Sequence, residues 1–236
     1  MEPRKINDLG PRFDWMQKTI HEDPQEIFDV LAGTLGAELE PGRGLNGYHN
    51  SMIVKRDEET LARVLYGGPN GWPNVVASGA ATDDVDPVIR AAWDRQEVTR
   101  MDTAQDFDQV GGYDSVRSVL VELHERSGIS KFEIESTKNG VRSRTIYLGS
   151  PSSRVRVRLY EKGMFEHQLG NEDASWGWFR LEAQIRPTGD ARVTAAQLNA
   201  SEAWGFSRWT RELAQLTMGL DVERVSMQLK LSLIHI

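Results

Sequence analysis

A run of arginines that ends in a tyrosine is the part of this sequence best suited to chemistry. Residues 154–160 alternate between polar and apolar side chains, which is typical of a half-buried strand. The polar side of that strand would carry Arg154, Arg156, Arg158 and Tyr160, and Lys162 follows. Guanidinium groups bind phosphate oxygens in bidentate fashion. An exposed edge strand, however, can carry charges only to discourage aggregation, and the pattern alone leaves both interpretations open.

The segment around this strand is basic although the whole chain is acidic. Residues 138–162 contain seven Lys/Arg, including Arg142 and Arg144, and one acid, Glu161, whereas the net charge of the chain is -7. Like charges on one strand repel, so we expect compensation from outside the fold. The acidic total argues against general affinity for nucleic acid, but it is compatible with a local basic groove.

Two further predicted strands carry carboxylates on a polar face. Asp102 and Asp106 share a face of the strand 98–107, and Glu182 lies on the polar face of the strand 178–186. If these strands neighbour the arginine strand, carboxylates and a tyrosine meet over one surface. Carboxylates without histidine or cysteine favour a hard cation, Mg²⁺ or Mn²⁺. The plainer alternative, which spacing alone favours, is that Asp102 and Glu182 pair with arginines on adjacent strands.

Composition excludes several other kinds of site. The chain has no cysteine, which excludes disulfides, thiolate metal sites and a cysteine nucleophile and suits a reducing cytoplasm. Its five histidines show no metal-ligand spacing. Because no signal peptide or long apolar run is present, we expect a soluble cytoplasmic protein with no membrane partner.

The elements that must position these residues are mostly strands with helices between them. Asp23-Pro24 and Asp86-Pro87 each predict a helix start. Asn139-Gly140 predicts a tight hairpin turn, because these residues readily adopt positive φ. A polar loop is predicted over 163–177 and a last helix over 194–216. The order predicts an α+β fold, an antiparallel sheet covered by helices on one face.

The sequence predicts a single domain from residue 13 to residue 225, with two related halves as an alternative. No sequence repeat and no linker mark a boundary inside it. Residues 1–12 are predicted to form an N-terminal tail, and residues 226–236 a truncated end. The last six, Leu231 to Ile236, resemble the translation of a sequencing adapter, so we expect an artefactual tail with few contacts.

Three motifs in fixed order carry a resemblance to a known family. They are Arg100-x-Asp-x-x-x-Asp106, Thr145-x-Tyr-Leu-Gly-Ser-x-x-Ser-x-Val-Arg-x-Arg-x-Tyr-Glu-Lys-Gly163 and Trp178-x-Arg-Leu-Glu-x-Gln-x-Arg186. Together they resemble the replication-initiation factors of rolling-circle plasmids, phages and conjugative elements. The similarity runs from about Asp14 to Val225, and the order and spacing of the motifs make it specific.

The resemblance implies a relaxase-like fold and a relaxase activity. Such an enzyme nicks and rejoins one strand of single-stranded or hairpin origin DNA through a tyrosine linked to the 5′ phosphate, with the aid of a divalent metal ion. A host helicase and a second copy of the chain are the further partners it implies. Relaxases of the histidine-metal type carry a His-x-His pair, which is absent here, so the resemblance requires carboxylate ligands.

Site residues follow from the resemblance by position. Tyr160 is the expected nucleophile, with Tyr147 in the same motif as its competitor. Asp102 and Glu182 are the expected metal ligands, with Asp106 as a third. The residues expected to bind DNA are Arg142, Arg144, Arg154, Arg156, Arg158 and Lys162. Two other classes stay open: a DNA-binding initiator or regulator without chemistry, and an interaction domain whose arginines pair with an acidic protein.

Overall fold

The computed structural model describes residues 10–225. The elements in chain order are β1 (Arg12–Ile20), α1 (Pro24–Leu35), β2 (Glu38–Arg43), β3 (Asn50–Arg56), β4 (Glu59–Tyr66), β5 (Asn74–Ser78), α2 (Ala81–Ala92), β6 (Gln96–Asp108), α3 (Gly112–Ser127), β7 (Lys131–Lys138), β8 (Val141–Leu148), β9 (Val155–Tyr160), α4 (Lys162–Gln168), β10 (Trp178–Ile185), α5 (Ala191–Ala195), a 3-10 helix (Glu202–Phe206) and α6 (Arg208–Met218). Within the described residues, the predicted fold class, α+β with antiparallel strands and helices, is confirmed.

Local signals set the ends of several elements. The carboxylate of Asp23 accepts a hydrogen bond from the Gln25 backbone at 2.8 Å and so caps α1. This helix ends at Gly36, whose φ of 59° is the left-handed conformation that suits glycine. Asn139 and Gly140 have φ of 52° and 75° and form the predicted two-residue turn between β7 and β8.

The described chain forms two compact units. The N-terminal unit contains residues 14–101 and 187–198, and its strands pair in the order β2-β3-β4-β5-β1 followed by the first half of β6. The helices α1 and α2 and the strands of this unit build one apolar core around Leu31, Val64 and Ile89.

The C-terminal unit contains residues 10–13, 102–186 and 199–224, and its strands pair in the order β7-β8-β9-β10 followed by the second half of β6. Alternate residues of β8, β9 and β10 enter a core with α3, the 3-10 helix and α6. Leu120, Leu159 and Trp204 are fully buried in it.

Both units use the same chain topology. Each has a strand, then a helix and four further strands, the last of which lies beside the first strand; in the C-terminal unit α4 is inserted before that last strand. The alternative of two related halves therefore has a structural counterpart without a sequence repeat. The boundary between the units falls inside β6, between Met101 and Asp102. The single-domain bounds, 13–225, stay a prediction, and the predictions for residues 1–9 and 226–236 lie outside the described residues.

Three predicted elements differ from the structure. The helix α2 begins at Ala81, five residues before Asp86, with Asp83 and Asp84 at the positive end of the helix in its first turn and Pro87 inside it. The long helix 194–216 is broken, since Ser207 is extended and caps a separate helix α6. The loop 163–177 contains most of α4. Among residues 10–225, no helix is long and apolar enough to cross a membrane.

Candidate nucleic-acid interface and active site

Strand register brings most of the predicted site residues onto one surface of the C-terminal unit. Directly paired residues of antiparallel strands point to the same side of a sheet. The pairs on this side are Tyr160 with Arg180, Arg158 with Glu182, Arg156 with Gln184, Thr145 with Tyr160, and Tyr147 with Arg158. The opposite side carries the apolar core. We call this surface of β8, β9 and β10 the polar face, and it confirms that Arg156, Arg158 and Tyr160 point the same way.

Both candidate nucleophiles lie on the polar face next to guanidinium groups. The guanidinium carbon of Arg158 is 4.4 Å from the ring centroid of Tyr160, and that of Arg156 is 4.0 Å from the ring centroid of Tyr147. Tyr160 is 8% exposed, whereas Tyr147 is half-buried. Each phenol ring therefore has one guanidinium group against it.

Glu182 is held by the arginine directly opposite it. Arg158 donates to a carboxylate oxygen of Glu182 at 2.6 Å. This is the ion pair with an arginine on an adjacent strand that the sequence left open as the plainer alternative for Glu182. Burial works against the charged form of Arg158, but the charge of Glu182 and the nearby phenols outweigh it and raise the pKa of Arg158 above its ordinary value. Arg158 therefore stays cationic between Glu182 and the two tyrosines.

Asp106 is enclosed by donors from β10. The guanidinium of Arg180 donates to both of its carboxylate oxygens, at 2.7 and 2.8 Å, and the indole of Trp178 donates to one of them at 2.8 Å. Arg180 is 4% exposed, and such a buried guanidinium needs a carboxylate partner. The structure thus gives Asp106 the role of positioning Arg180, which lies opposite Tyr160.

The three predicted metal ligands do not form a ready metal cage. Asp102 is buried, at 3% exposed, and lies four residues before Asp106 on β6, so strand alternation places it on the same side. Asp106 and Glu182 already bind guanidinium groups. Within residues 10–225, no group of three or more His, Asp or Glu side chains has the arrangement that could hold a metal ion. A three-carboxylate site does not fit, and Asp102 with Glu182 remain the candidate ligand pair.

The predicted DNA-binding arginines divide between the two sides of the sheet. Arg144 pairs in register with Glu135 of β7 and shares the side of the buried Ile146, away from the polar face. It donates to Glu161 at 2.7 Å and to Asp114 at 2.7 Å. Arg142 has the same parity and is paired with Glu135. These two arginines are therefore not brought together with Arg156 and Arg158.

The remaining basic residues flank the polar face. Arg154 is exposed and precedes β9, and its carbonyl accepts a hydrogen bond from the Arg186 backbone at 2.7 Å. Lys162 begins α4, forms an ion pair with Glu166 and lies 5.4 Å from the ring centroid of Trp178. The helix α4 ends on the hairpin, where Gln168 donates to the Val141 carbonyl at 2.9 Å.

Sequence reasoning missed Arg180 and Trp178 as site residues. Both lie an even number of residues from Glu182 in β10, so the alternation that placed Glu182 on the polar face places them there too. A buried arginine looks no different from an exposed one in sequence. Only the pairing of β10 with β6 shows that Asp106 and Arg180 meet.

Comparisons with known proteins agree with this fold. No protein-family profile matches the chain, and no curated protein matches it in sequence. The chain is similar to a solved structure described as a rolling circle replication initiator protein from Geobacillus stearothermophilus. The TM-score is 0.60, the sequence identity is 21%, and the match covers 92% of this chain and 98% of that chain. The likeness supports the resemblance suggested by the motifs at the level of the fold.

Proposed function

We propose that this chain is a rolling-circle replication initiator that nicks and rejoins single-stranded origin DNA through a covalent 5′-phosphotyrosine intermediate. The observation that carries the proposal is the polar face, where Tyr160 lies among Arg156, Arg158 and Arg180 opposite an apolar core. The fold likeness to a solved rolling-circle initiator over nearly the whole chain gives independent support.

The chemistry assigned to Tyr160 is a transesterification. Its phenol oxygen attacks the scissile phosphorus, a bond from that oxygen to phosphorus forms, and the bond from phosphorus to the 3′ oxygen breaks. The phenol proton is lost, and the leaving 3′ oxygen gains a proton and becomes a hydroxyl. One phosphodiester is exchanged for another, so the reverse reaction can rejoin the strand.

The arginines of the polar face supply the electrostatic part of this reaction. A positive charge beside a phenol favours the ionised form that acts as the nucleophile. Guanidinium groups also bind the phosphate and stabilise the charge that develops on it. Arg158 touches the Tyr160 ring and Arg180 lies opposite it, so both are assigned to this role. Asp106 acts by fixing the position of Arg180.

Dependence on Mg²⁺ or Mn²⁺ is part of the proposal, with Asp102 and Glu182 as ligands. When bound, a divalent ion would polarise the scissile phosphate. Glu182 is paired with Arg158 in the structure and would have to give up that ion pair to hold a cation.

A denaturing gel tests the proposal. Labelled single-stranded oligonucleotides that tile the DNA flanking the reading frame are incubated with the protein, with Mg²⁺, with Mn²⁺ or with a chelator. The expected result is cleavage of one oligonucleotide and a label that migrates with the protein, and both should be lost with the chelator. Absence of cleavage and adduct under all conditions would contradict the proposed activity.

Glu182→Gln is expected to lower metal-dependent cleavage about 100-fold and to leave DNA affinity unchanged or slightly higher, since it removes a negative charge from the polar face. Cleavage rate and binding anisotropy measure the two effects. Glu135→Gln is the matched control, because Glu135 pairs with Arg142 on the other side of the sheet. Equal cleavage by the two variants would remove Glu182 from the site.

A DNA-binding initiator or regulator without chemistry is the second candidate. The low exposure of Tyr160, 8%, and the enclosure of Asp106 favour it, because a nucleophile must reach its phosphate. This candidate requires salt-dependent binding to origin DNA with no adduct. Loss of affinity with rising salt reports released counterions.

A further inference from the structure

Two large apolar side chains are exposed on the edge strand β7. Phe132 is 58% exposed and Ile134 is 43% exposed. The ring centroid of Phe132 lies 6.5 Å from that of Tyr147, with the rings tilted by 31°. Neighbouring exposed apolar side chains of this size commonly mark a binding surface.

Register places this aromatic pair on the polar face. Phe132 pairs directly with Tyr147, and Ile134 pairs with Thr145, so all four side chains lie on the side of Tyr160. Tyr160 itself pairs with Thr145 of the same strand. The exposed Phe132 ring is thus connected through the half-buried Tyr147 to the candidate active site across three neighbouring strands.

Charge is separated between the two sides of these strands. The acids of β7, Glu133 and Glu135, point to the opposite side, where they bind Arg117 and Arg142. On β7, β8 and β9 the registered positions of the polar face carry aromatic, hydroxyl, apolar and cationic groups and no carboxylate, and Glu182 on the neighbouring β10 is paired with Arg158. A ligand on this surface should therefore combine negative charge with flat apolar faces.

Arg156 is placed to bind the charged part of such a ligand. The guanidinium carbon of Arg156, on β9, lies 4.0 Å from the ring centroid of Tyr147 on the neighbouring strand β8. Its side chain is half-buried, and its Nε is buried without a hydrogen-bond partner among residues 10–225. A guanidinium stacked on a ring still has its terminal N–H donors, which suit a phosphate.

We propose that Phe132 is a base-stacking site for single-stranded DNA and that Arg156 holds an adjacent phosphate of the same strand. Single strands expose base faces, which stack on aromatic side chains, whereas a duplex keeps its bases within the helical stack. The inference rests on the proposed function, because it continues the DNA path from Tyr160 over Tyr147 to the edge of the sheet. It assigns specificity for single strands to this edge.

Anisotropy of a labelled oligothymidylate, measured with the full chain at several salt concentrations, tests the proposal. Phe132→Ala is expected to weaken binding roughly 5- to 150-fold, the effect of losing one stacked base, without changing the salt dependence. Phe132→Tyr should restore binding. Arg156→Gln should weaken binding and lower the slope of log affinity against log salt by about 0.7. Trp72→Ala, which removes an exposed ring from the N-terminal unit, should bind as wild type does.

The outcomes separate this inference from the proposed function. If the wild type binds the oligonucleotide and Phe132→Ala binds it with equal affinity, the stacking site is overturned and the proposed function is left intact. Wild type without any affinity for single strands would overturn both. A Phe132→Ala variant that binds DNA normally but changes mass in sedimentation would make this edge a protein interface and would also refute the proposal. Circular dichroism confirms that each variant is folded.

Discussion

Tyr160→Phe should form no covalent adduct with origin DNA while it keeps the fold and most of the DNA affinity. The change removes one hydroxyl and keeps the ring that Arg158 contacts at 4.4 Å. Loss of the attacking oxygen removes the covalent route altogether, so the expected loss of adduct is complete within detection. The denaturing gel described above measures the adduct, and anisotropy measures the affinity.

Tyr147→Phe is the matched control for this prediction. Tyr147 lies on the same face and stacks on Arg156, so its variant changes a phenol in a similar environment. We expect Tyr147→Phe to retain the adduct. The opposite pattern, an adduct with Tyr160→Phe and none with Tyr147→Phe, would move the nucleophile to Tyr147 and preserve the relaxase hypothesis.

Asp86→Ala should destabilise the N-terminal unit more than any surface change. Asp86 lies 2.6 Å from the ammonium of Lys18 and 2.5 Å from the guanidinium of Arg90. Lys18 is fully buried and otherwise donates to Gln96 at 2.7 Å. Removing one partner of a buried ion pair leaves an uncompensated charge, which costs about 3–5 kcal/mol. Urea denaturation measures the loss.

Asp84→Ala supplies the control on the same helix. Asp84 pairs with Arg56 at the surface, and exposed pairs contribute about 0–1 kcal/mol. A loss for Asp86→Ala as small as that for Asp84→Ala would show that the Lys18 network is unimportant for stability.

The pH dependence gives a second measurement of the same network. Burial, opposed in part by Asp86, lowers the pKa of Lys18 from 10.5 to about 8. Between these values the unfolded chain binds more protons than the folded one, so the stability of the wild type should rise with pH across this window. Asp86 raises the pKa of Lys18 against the effect of burial, so the deficit of Asp86→Ala should shrink as pH rises towards 8, where Lys18 becomes neutral in the wild type too and does not need the carboxylate.

Alternation along single strands made much of the site predictable. The pattern of residues 154–160 is that of β9 with one side in the core, and Arg156, Arg158 and Tyr160 share the other side as predicted. The Asn139-Gly140 turn and the Asp23 cap were also predictable from sequence, because each depends only on residues that are neighbours in the chain.

Pairing between distant strands made the rest inaccessible. Asp106 and Arg180 are 74 residues apart in sequence, and they meet only because β6 lies beside β10. The position of Arg142 and Arg144 on the other side of β8 could be foreseen from sequence, since both lie an even number of residues from the apolar Ile146. The break in the last helix is local, because Ser207 is extended and forms a capping box with Thr210 that starts a new helix.

Mass spectrometry of the protein–DNA adduct tests the central claim most directly. The adduct formed by wild type is digested with a protease and a nuclease, and the peptide that carries the nucleotide remnant is sequenced. The account predicts a remnant on Tyr160, in the peptide that contains the end of β9. A remnant on any other residue, or a cleaved strand with no protein-linked nucleotide, would contradict it.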